Sequence, residues 1–273
     1  MNRVKNQSEQ LTFNQLLSKY VVEIPIIQRD YAQGRKTKSE LRKSFLFALK
    51  NGIVGDPIEL DFIYGSQVDD VMQPLDGQQR LTTLFLLHWY FCKKANLLNE
   101  FNEIFKKFSY ETRISSREFC EALVSESIDI DHLQSTDKLS EIIIDRPWFF
   151  LSWKNDPTIS AMLNMLDAIH DKFYNIENGW QKLTDTKLIQ FYHLDLENFG
   201  LSDDLYIKMN ARGKPLTTFE NFKALLEKQI SVDEWEEKSL SSTERFAYKI
   251  DNIWTDLLWS FRDGNNFIDD GFL

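Results

Sequence analysis

A chain of 273 residues, 42% hydrophobic and 27% charged, has the balance of a globular protein with one large or two small domains, which excludes a disordered tail, a collagen-like rod and a coiled coil. Its net charge of -10 argues against broad contact with a phosphate backbone but leaves room for one local basic pocket. Aromatic residues at 14%, including 21 Phe and 7 Trp, call for a thick core or a stacking site. Cys92 and Cys120 stand in apolar, helical-looking sequence and read as buried thiols of a reducing compartment. No CxxC or CxxH pair offers a zinc scaffold. Residues 1–10 are polar and lack the apolar region of a signal peptide. The longest apolar run, residues 81–92, is too short to span a bilayer and carries His88. The expectation is a cytoplasmic protein with no membrane contact.

Thr12 and Gln15 have capping-box spacing ahead of a short helix that runs to about Tyr20. Residues 21–25 are extended, because Pro25 biases Ile24 away from the helical region. Thr37 and Glu40 suggest a second capping box, opening a helix with Leu41, Phe45, Leu46 and Leu49 on one face and an end near Gly52. Residues 58–67 and 71–75 read as strands of a hairpin turned at Val68–Asp69–Asp70. The second strand runs directly into Asp76–Gly77–Gln78–Gln79–Arg80, and a helix with Leu81, Leu84, Phe85, His88 and Cys92 on one face follows. Residues 100–145 are mostly helical in period, and Asp145–Arg146–Pro147–Trp148 is a break. Asp156–Pro157 starts a helix striped by Met162, Leu163, Leu166, Ile169 and Phe173. Residues 188–196 suit a buried strand, and 203–210 suit a helix or a strand equally. A loop at 211–215, a helix capped by Thr217 and Glu220, and an amphipathic helix over 242–261 complete the chain. It ends at Asp269–Asp270–Gly271–Phe272–Leu273 without a C-cap or charged tail, which suggests a cut within a longer protein.

Three segments have the residue types of an anion site. In Asp76–Arg80, Gly77 permits a tight turn and the helix start presents outward N–H donors and the positive end of the dipole. Arg80 repels that dipole end unless an anion lies between them, and Asp76 could hold a metal ion or orient a water. The competing structural reading makes Asp76 the N-cap and Gln79 its capping-box partner. The second segment, Gln28–Arg29–Asp30–Tyr31 with Gly34–Arg35, follows a strand end, where α/β ligand sites sit; a solvated loop is the alternative. The third, Asn210–Ala211–Arg212–Gly213–Lys214, is a basic nest or a charged turn, without P-loop spacing. His88 and Cys92 are four apart on one helix face, but their Leu/Phe/Trp surroundings favour a packed core over metal ligation, and His193 also reads as a core residue.

Together, residues 24–31 (IPIIQRDY), 75–84 (LDGQQRLTTL) and 209–217 (MNARGKPLT) resemble the DUF262 family, the N-terminal domain of GmrSD-type modification-dependent restriction enzymes and related phage-defence proteins. The resemblance reaches Lys228, and Gln33 stands where many relatives carry Trp. It implies an α+β fold: a small ParB/sulfiredoxin-like sheet core with a large, mainly helical elaboration. It also implies binding and hydrolysis of a nucleoside triphosphate at DGQQR, coupled to a separate His-Me-finger nuclease domain whose motif is not visible in this sequence. The expected organisation is a core over 1–99, a helical elaboration over 100–230 that returns the Asn210–Lys214 loop, and the start of a further helical region over 231–273.

The resulting reading is an NTP-binding, Mg²⁺-dependent regulatory module of a DNA-targeting defence enzyme, compatible with homo-oligomerisation. Asp76 and Arg80 are its catalytic pair, with Asp76 near the metal. Gln28, Arg29, Tyr31, Gly77, Gln78, Gln79, Asn210, Arg212, Gly213 and Lys214 are its nucleotide contacts. The rivals are a non-hydrolysing sensor of modified DNA and a scaffold with a vestigial site.

Overall fold

The structure, a computed structural model, describes residues 8–25, 31–68, 70–111, 113–130 and 132–195, together with 230 and 249. The chain divides into two units, Met1–Leu201 and Ser202–Leu273. The fold is α+β. Six strands, β1 (Ser8–Leu11), β2 (Val21–Ile24), β3 (Ile58–Val68), β4 (Val71–Pro74), β5 (Phe108–Tyr110) and β6 (Ile189–Asp195), form one mixed sheet in the order β1-β6-β3-β4-β2-β5. β1 is antiparallel to β6, and β3 to β4; the β6–β3, β4–β2 and β2–β5 pairs are parallel. The hairpin read from the sequence is present, closed at Val68↔Val71. The three-residue β5 and the N-terminal β1 carry too short a pattern to be read from sequence.

Eight α-helices lie among the described residues: α1 (Phe13–Lys19), α2 (Ser39–Val54), α3 (Gln78–Lys94), α4 (Leu98–Phe105), α5 (Ile114–Ser125), α6 (Leu139–Ile144), α7 (Pro157–Phe173) and α8 (Gly179–Thr184). The capping box at α1 forms in full, with Thr12 Oγ1 accepting from Gln15 N and Gln15 Oε1 accepting from Thr12 N. Asp156 caps α7 by accepting from the N–H groups of Thr158 and Ile159.

The expected cap of α2 does not form. Thr37 lies inside a 3-10 turn over Lys36–Lys38, so the helix begins one step later, at a Lys38 N-cap with no side-chain bond, and Glu40 pairs with Lys43 instead. The buried face is rotated as well. Leu46, Leu49 and Ile53 enter the core, while Leu41 is 53% exposed and Phe45 is half-buried.

Helix α3 organises the core. One apolar face was expected; instead Gln78 and every residue from Leu81 to Cys92 are buried. A helix apolar on all sides belongs inside a protein, and successive faces of α3 meet different neighbours. Phe85 stacks on Phe108 of β5 at 4.7 Å, and His88 lies 4.9 Å from the Phe13 ring of α1. Trp89 donates to the Leu123 carbonyl of α5, and Phe91 meets Phe173 of α7 edge-on. His88 is thus a core residue, and burial drops its pKa to about 4. Both cysteines are buried and free. No described helix is long and apolar enough to cross a membrane.

Candidate functional site

The DGQQR segment begins where β4 ends. After Pro74, the N–H groups of Leu75 and Asp76 both donate to the Tyr64 carbonyl of β3, which turns the chain sharply away from the sheet. Gly77 then takes φ 87°, a left-handed conformation that costs a residue with a Cβ roughly 1–2 kcal/mol. A Cβ there would also lie 2.7 Å from Ile63 Cγ1. Glycine is required at this position by both its backbone and its packing.

Gly77 is the N-cap of α3, and no side chain caps the helix. Asp76 does not cap it, and no Asp76–Gln79 capping box forms. Asp76 Oδ2 accepts instead from Arg80 Nη2 at 2.8 Å, and the same nitrogen donates to the Phe62 carbonyl at 2.9 Å. That carbonyl sits in a β-bulge. Leu60 pairs with Phe191 and Ile63 with His193, so β3 carries one residue more than β6 between them. The Arg80 side chain is 17% exposed, and its Nη1 is buried with no acceptor among the described residues. Gln78 donates through Nε2 to the Pro74 carbonyl at 2.6 Å, while its buried Oε1 finds no donor there. A buried polar atom without a partner costs about 1–3 kcal/mol, so these two atoms are a reservoir that a ligand or water would relieve.

A cleft of about 400 Å³ opens at this helix start. Gly77, Gln78, Gln79 and Arg80 line one side, and Leu41 and Phe45 form an apolar wall. Glu59, Asp61 and Asp76 supply carboxylates, and Gln33 supplies an amide. Arg80 is the only cation among the described lining residues. Rotation of the α2 apolar stripe thus places Leu41 at the cleft rather than in the core, and Phe45 at the edge of the core where it also lines the cleft.

Residues 31–33, at the end of the first block and just after it, reach the same place. Gln79 Oε1 accepts from Ala32 N at 2.7 Å and from Gln33 N at 3.2 Å. Thr83 Oγ1 donates to Gln33 Oε1 at 2.7 Å and lies 2.7 Å from the Tyr31 hydroxyl. Tyr31 is 2% exposed, and burial pushes its hydroxyl pKa well above the ordinary value, against the weaker opposing effects of Thr83 and Arg42. Tyr31 and Gln79 are therefore engaged in fastening residues 31–33 to α3. Gln33, Thr83, Leu41, Phe45, Glu59 and Asp61 were not read as site residues from sequence. One available signal was the adjacent pair Phe62–Ile63, which breaks the strand alternation where the bulge falls. Gln28, Arg29, Asn210, Arg212, Gly213 and Lys214 lie outside the described residues.

Residues 12–227 match the family described as GmrSD restriction endonuclease, N-terminal domain. The chain belongs to this family. The match begins at the Thr12 cap and includes all three blocks singled out in the sequence. Comparison with curated proteins finds no match. In this GmrSD N-terminal domain, the strand–glycine–helix junction, the bulge that holds Arg80 and the strap over residues 31–33 converge on one cleft.

No group of three or more His, Cys, Asp or Glu residues with metal-binding geometry occurs among the described residues. Magnesium carried on a triphosphate needs only one or two protein carboxylates. Asp76 and Asp61, hard oxygen donors on the cleft, fit that requirement.

Proposed function

We propose that this domain binds and hydrolyses a nucleoside triphosphate in the cleft at the start of α3, and that it thereby regulates a DNA-targeting, modification-dependent restriction enzyme of phage defence. One observation carries the reading: a partly exposed guanidinium whose buried Nη1 has no acceptor among the described residues, held by a carboxylate and a bulge carbonyl at a helix start with no side-chain cap. Such a place favours an anion, because first-turn N–H groups, the helix dipole and a charged donor act together. Phosphates lie over Gly77–Gln79 with Arg80 on a phosphate oxygen, and the base packs toward Leu41 and Phe45.

Three carboxylates against one guanidinium would repel a bare triphosphate. The site therefore takes the triphosphate with Mg²⁺, which neutralises phosphate charge, with Asp76 beside the metal or the attacking water. Arg29, Arg212 and Lys214 have the chemistry of further phosphate donors. DNA cleavage belongs to a His-Me-finger nuclease in another domain or a partner.

The test is a thermal-shift panel of the four NTPs with Mg²⁺ or EDTA, followed by phosphate release. A ligand at a hundredfold excess over its Kd stabilises the folded state by about 2.7 kcal/mol. Stabilisation by an NTP with Mg²⁺ and not with EDTA is the expected result. No stabilisation by any NTP would remove the nucleotide site.

A further inference from the structure

Arg80 is not free to grip a phosphate in the position it holds. A guanidinium takes a phosphate through two adjacent N–H groups. Nη1 is buried and meets a ligand only if the side chain turns. Nη2 has both hydrogens committed, one to Asp76 Oδ2 at 2.8 Å and one to the Phe62 carbonyl at 2.9 Å. A two-point hold therefore takes Nη2 away from one of these acceptors. The carbonyl is the one to go: it carries no charge to hold the cation, and its bond is the more exposed of the two.

That carbonyl belongs to a segment built to shift. Asp61 and Phe62 stand opposite the single residue Tyr192, between the Leu60↔Phe191 and Ile63↔His193 pairs. A bulge leaves its extra residue out of the ladder, so it can move while the flanking pairs stay closed. Arg80 is one tie on it from the cleft side. The other is packing: Ile63 Cγ1 lies so close to Gly77 that a Cβ there would be 2.7 Å away. On the exposed side the Phe62 ring, 50% exposed, lies 5.4 Å from the Tyr192 ring. The Tyr192 hydroxyl donates to Glu59 Oε2 at 3.4 Å, and Gln10 Nε2 donates to Glu59 Oε1 at 2.6 Å, so the contacts continue across β6 and β3 to β1.

We propose that the β3 bulge relays the state of the cleft to the exposed Phe62–Tyr192 pair. With the cleft empty, Arg80 holds the Phe62 carbonyl and the two rings stay together. With a phosphate in place, Arg80 leaves the carbonyl, and the freed bulge carries the Phe62 ring away from Tyr192. Release of the phosphate restores the bond. The inference rests on the nucleotide reading and adds the regulation of that site: an aromatic pair at the surface is what changes when the cleft fills.

The experiment is hydrogen–deuterium exchange of the whole chain, read by mass spectrometry in peptides covering 58–66, 76–84 and 189–194. One arm needs no nucleotide. R80A and R80M both remove the donor, and methionine keeps the apolar stem should alanine disturb folding. Either variant should exchange about tenfold faster at 61–63, the factor for loss of one hydrogen bond to a charged donor, with 189–194 unchanged. In the second arm the parent is compared with and without each of the four NTPs and Mg²⁺. Occupancy alone slows exchange by stabilising the folded state. The expected result is slower exchange at 77–81 together with faster exchange at 61–63. Unchanged exchange at 61–63 in both variants would overturn the relay. Slowing at 77–81 without faster exchange at 61–63 would overturn it too, and would leave the nucleotide site standing. No slowing at 77–81 with any NTP would remove the nucleotide site and the relay with it.

Discussion

Gly77→Ala isolates the turn that delivers the DGQQR segment to the cleft. Two costs add. The φ of 87° is a left-handed conformation, worth about 1–2 kcal/mol against alanine. The new Cβ would sit 2.7 Å from Ile63 Cγ1, and Ile63 is fully buried, so its side chain has little room to retreat. Overpacking of this kind costs about 1–3 kcal/mol. We expect a loss of about 2–5 kcal/mol, which for a domain of this size lowers Tm by about 5–15 °C. The assay is urea unfolding of G77A, I63A and the double variant. Removing the Ile63 γ-carbons relieves the clash but not the backbone cost. G77A should therefore cost at least about 1 kcal/mol less in the I63A background, a coupling readable from the double-mutant cycle. A loss below about 0.5 kcal/mol for G77A in the parent would refute the left-handed turn and the contact together.

Arg80→Ala should weaken Mg·NTP binding by about 2–5 kcal/mol, read by titration calorimetry; unchanged affinity would place the nucleotide elsewhere. Asp76→Asn should retain binding but slow phosphate release, and parental turnover would remove Asp76 from the chemistry. His88 is buried and neutral with a folded pKa of about 4 against an ordinary 6.5, so the unfolded chain binds the extra proton first. Its contribution is full above pH 6.5 and is lost as pH falls toward 4, by up to about 3 kcal/mol. In H88L, the stability profile between pH 4 and 6.5 should be flatter than in the parent, and an unchanged slope would assign the acid sensitivity to other groups. Cys92, pushed up to about 12 by burial, and Cys120, raised further, should resist a thiol reagent in the native protein and react only on unfolding; rapid native labelling of either would contradict their burial. The purified chain with NTP and Mg²⁺ or Mn²⁺ should leave plain, methylated and glucosylated DNA uncut, and cleavage that survives repurification would place a nuclease within it.

Local chemistry made much of this protein legible. The Thr12–Gln15 and Asp156–Pro157 starts depend on hydrogen bonds within one turn, so their residues announce them. The β3–β4 hairpin and the junction at Gly77 are similarly short-range. The uncharged run between Arg80 and Lys93 already contained the information that α3 is buried all round, although reading a single stripe through it understated that. Tertiary structure decided what local signals could not. Thr37 and Glu40 have capping spacing, yet the preceding 3-10 turn moves the helix start past Thr37. Leu41 has core chemistry, yet the packing of α2 directs Leu46, Leu49 and Ile53 inward, leaves Leu41 for the cleft and sets Phe45 at the core's edge beside it. Asp76 has the chemistry of an N-cap, but a bulge in a strand nearly twenty residues earlier holds Arg80, and Arg80 takes the carboxylate. In this last outcome a local bond competes with a partner brought from a distant part of the chain, and spacing along the sequence carries only the first of the two.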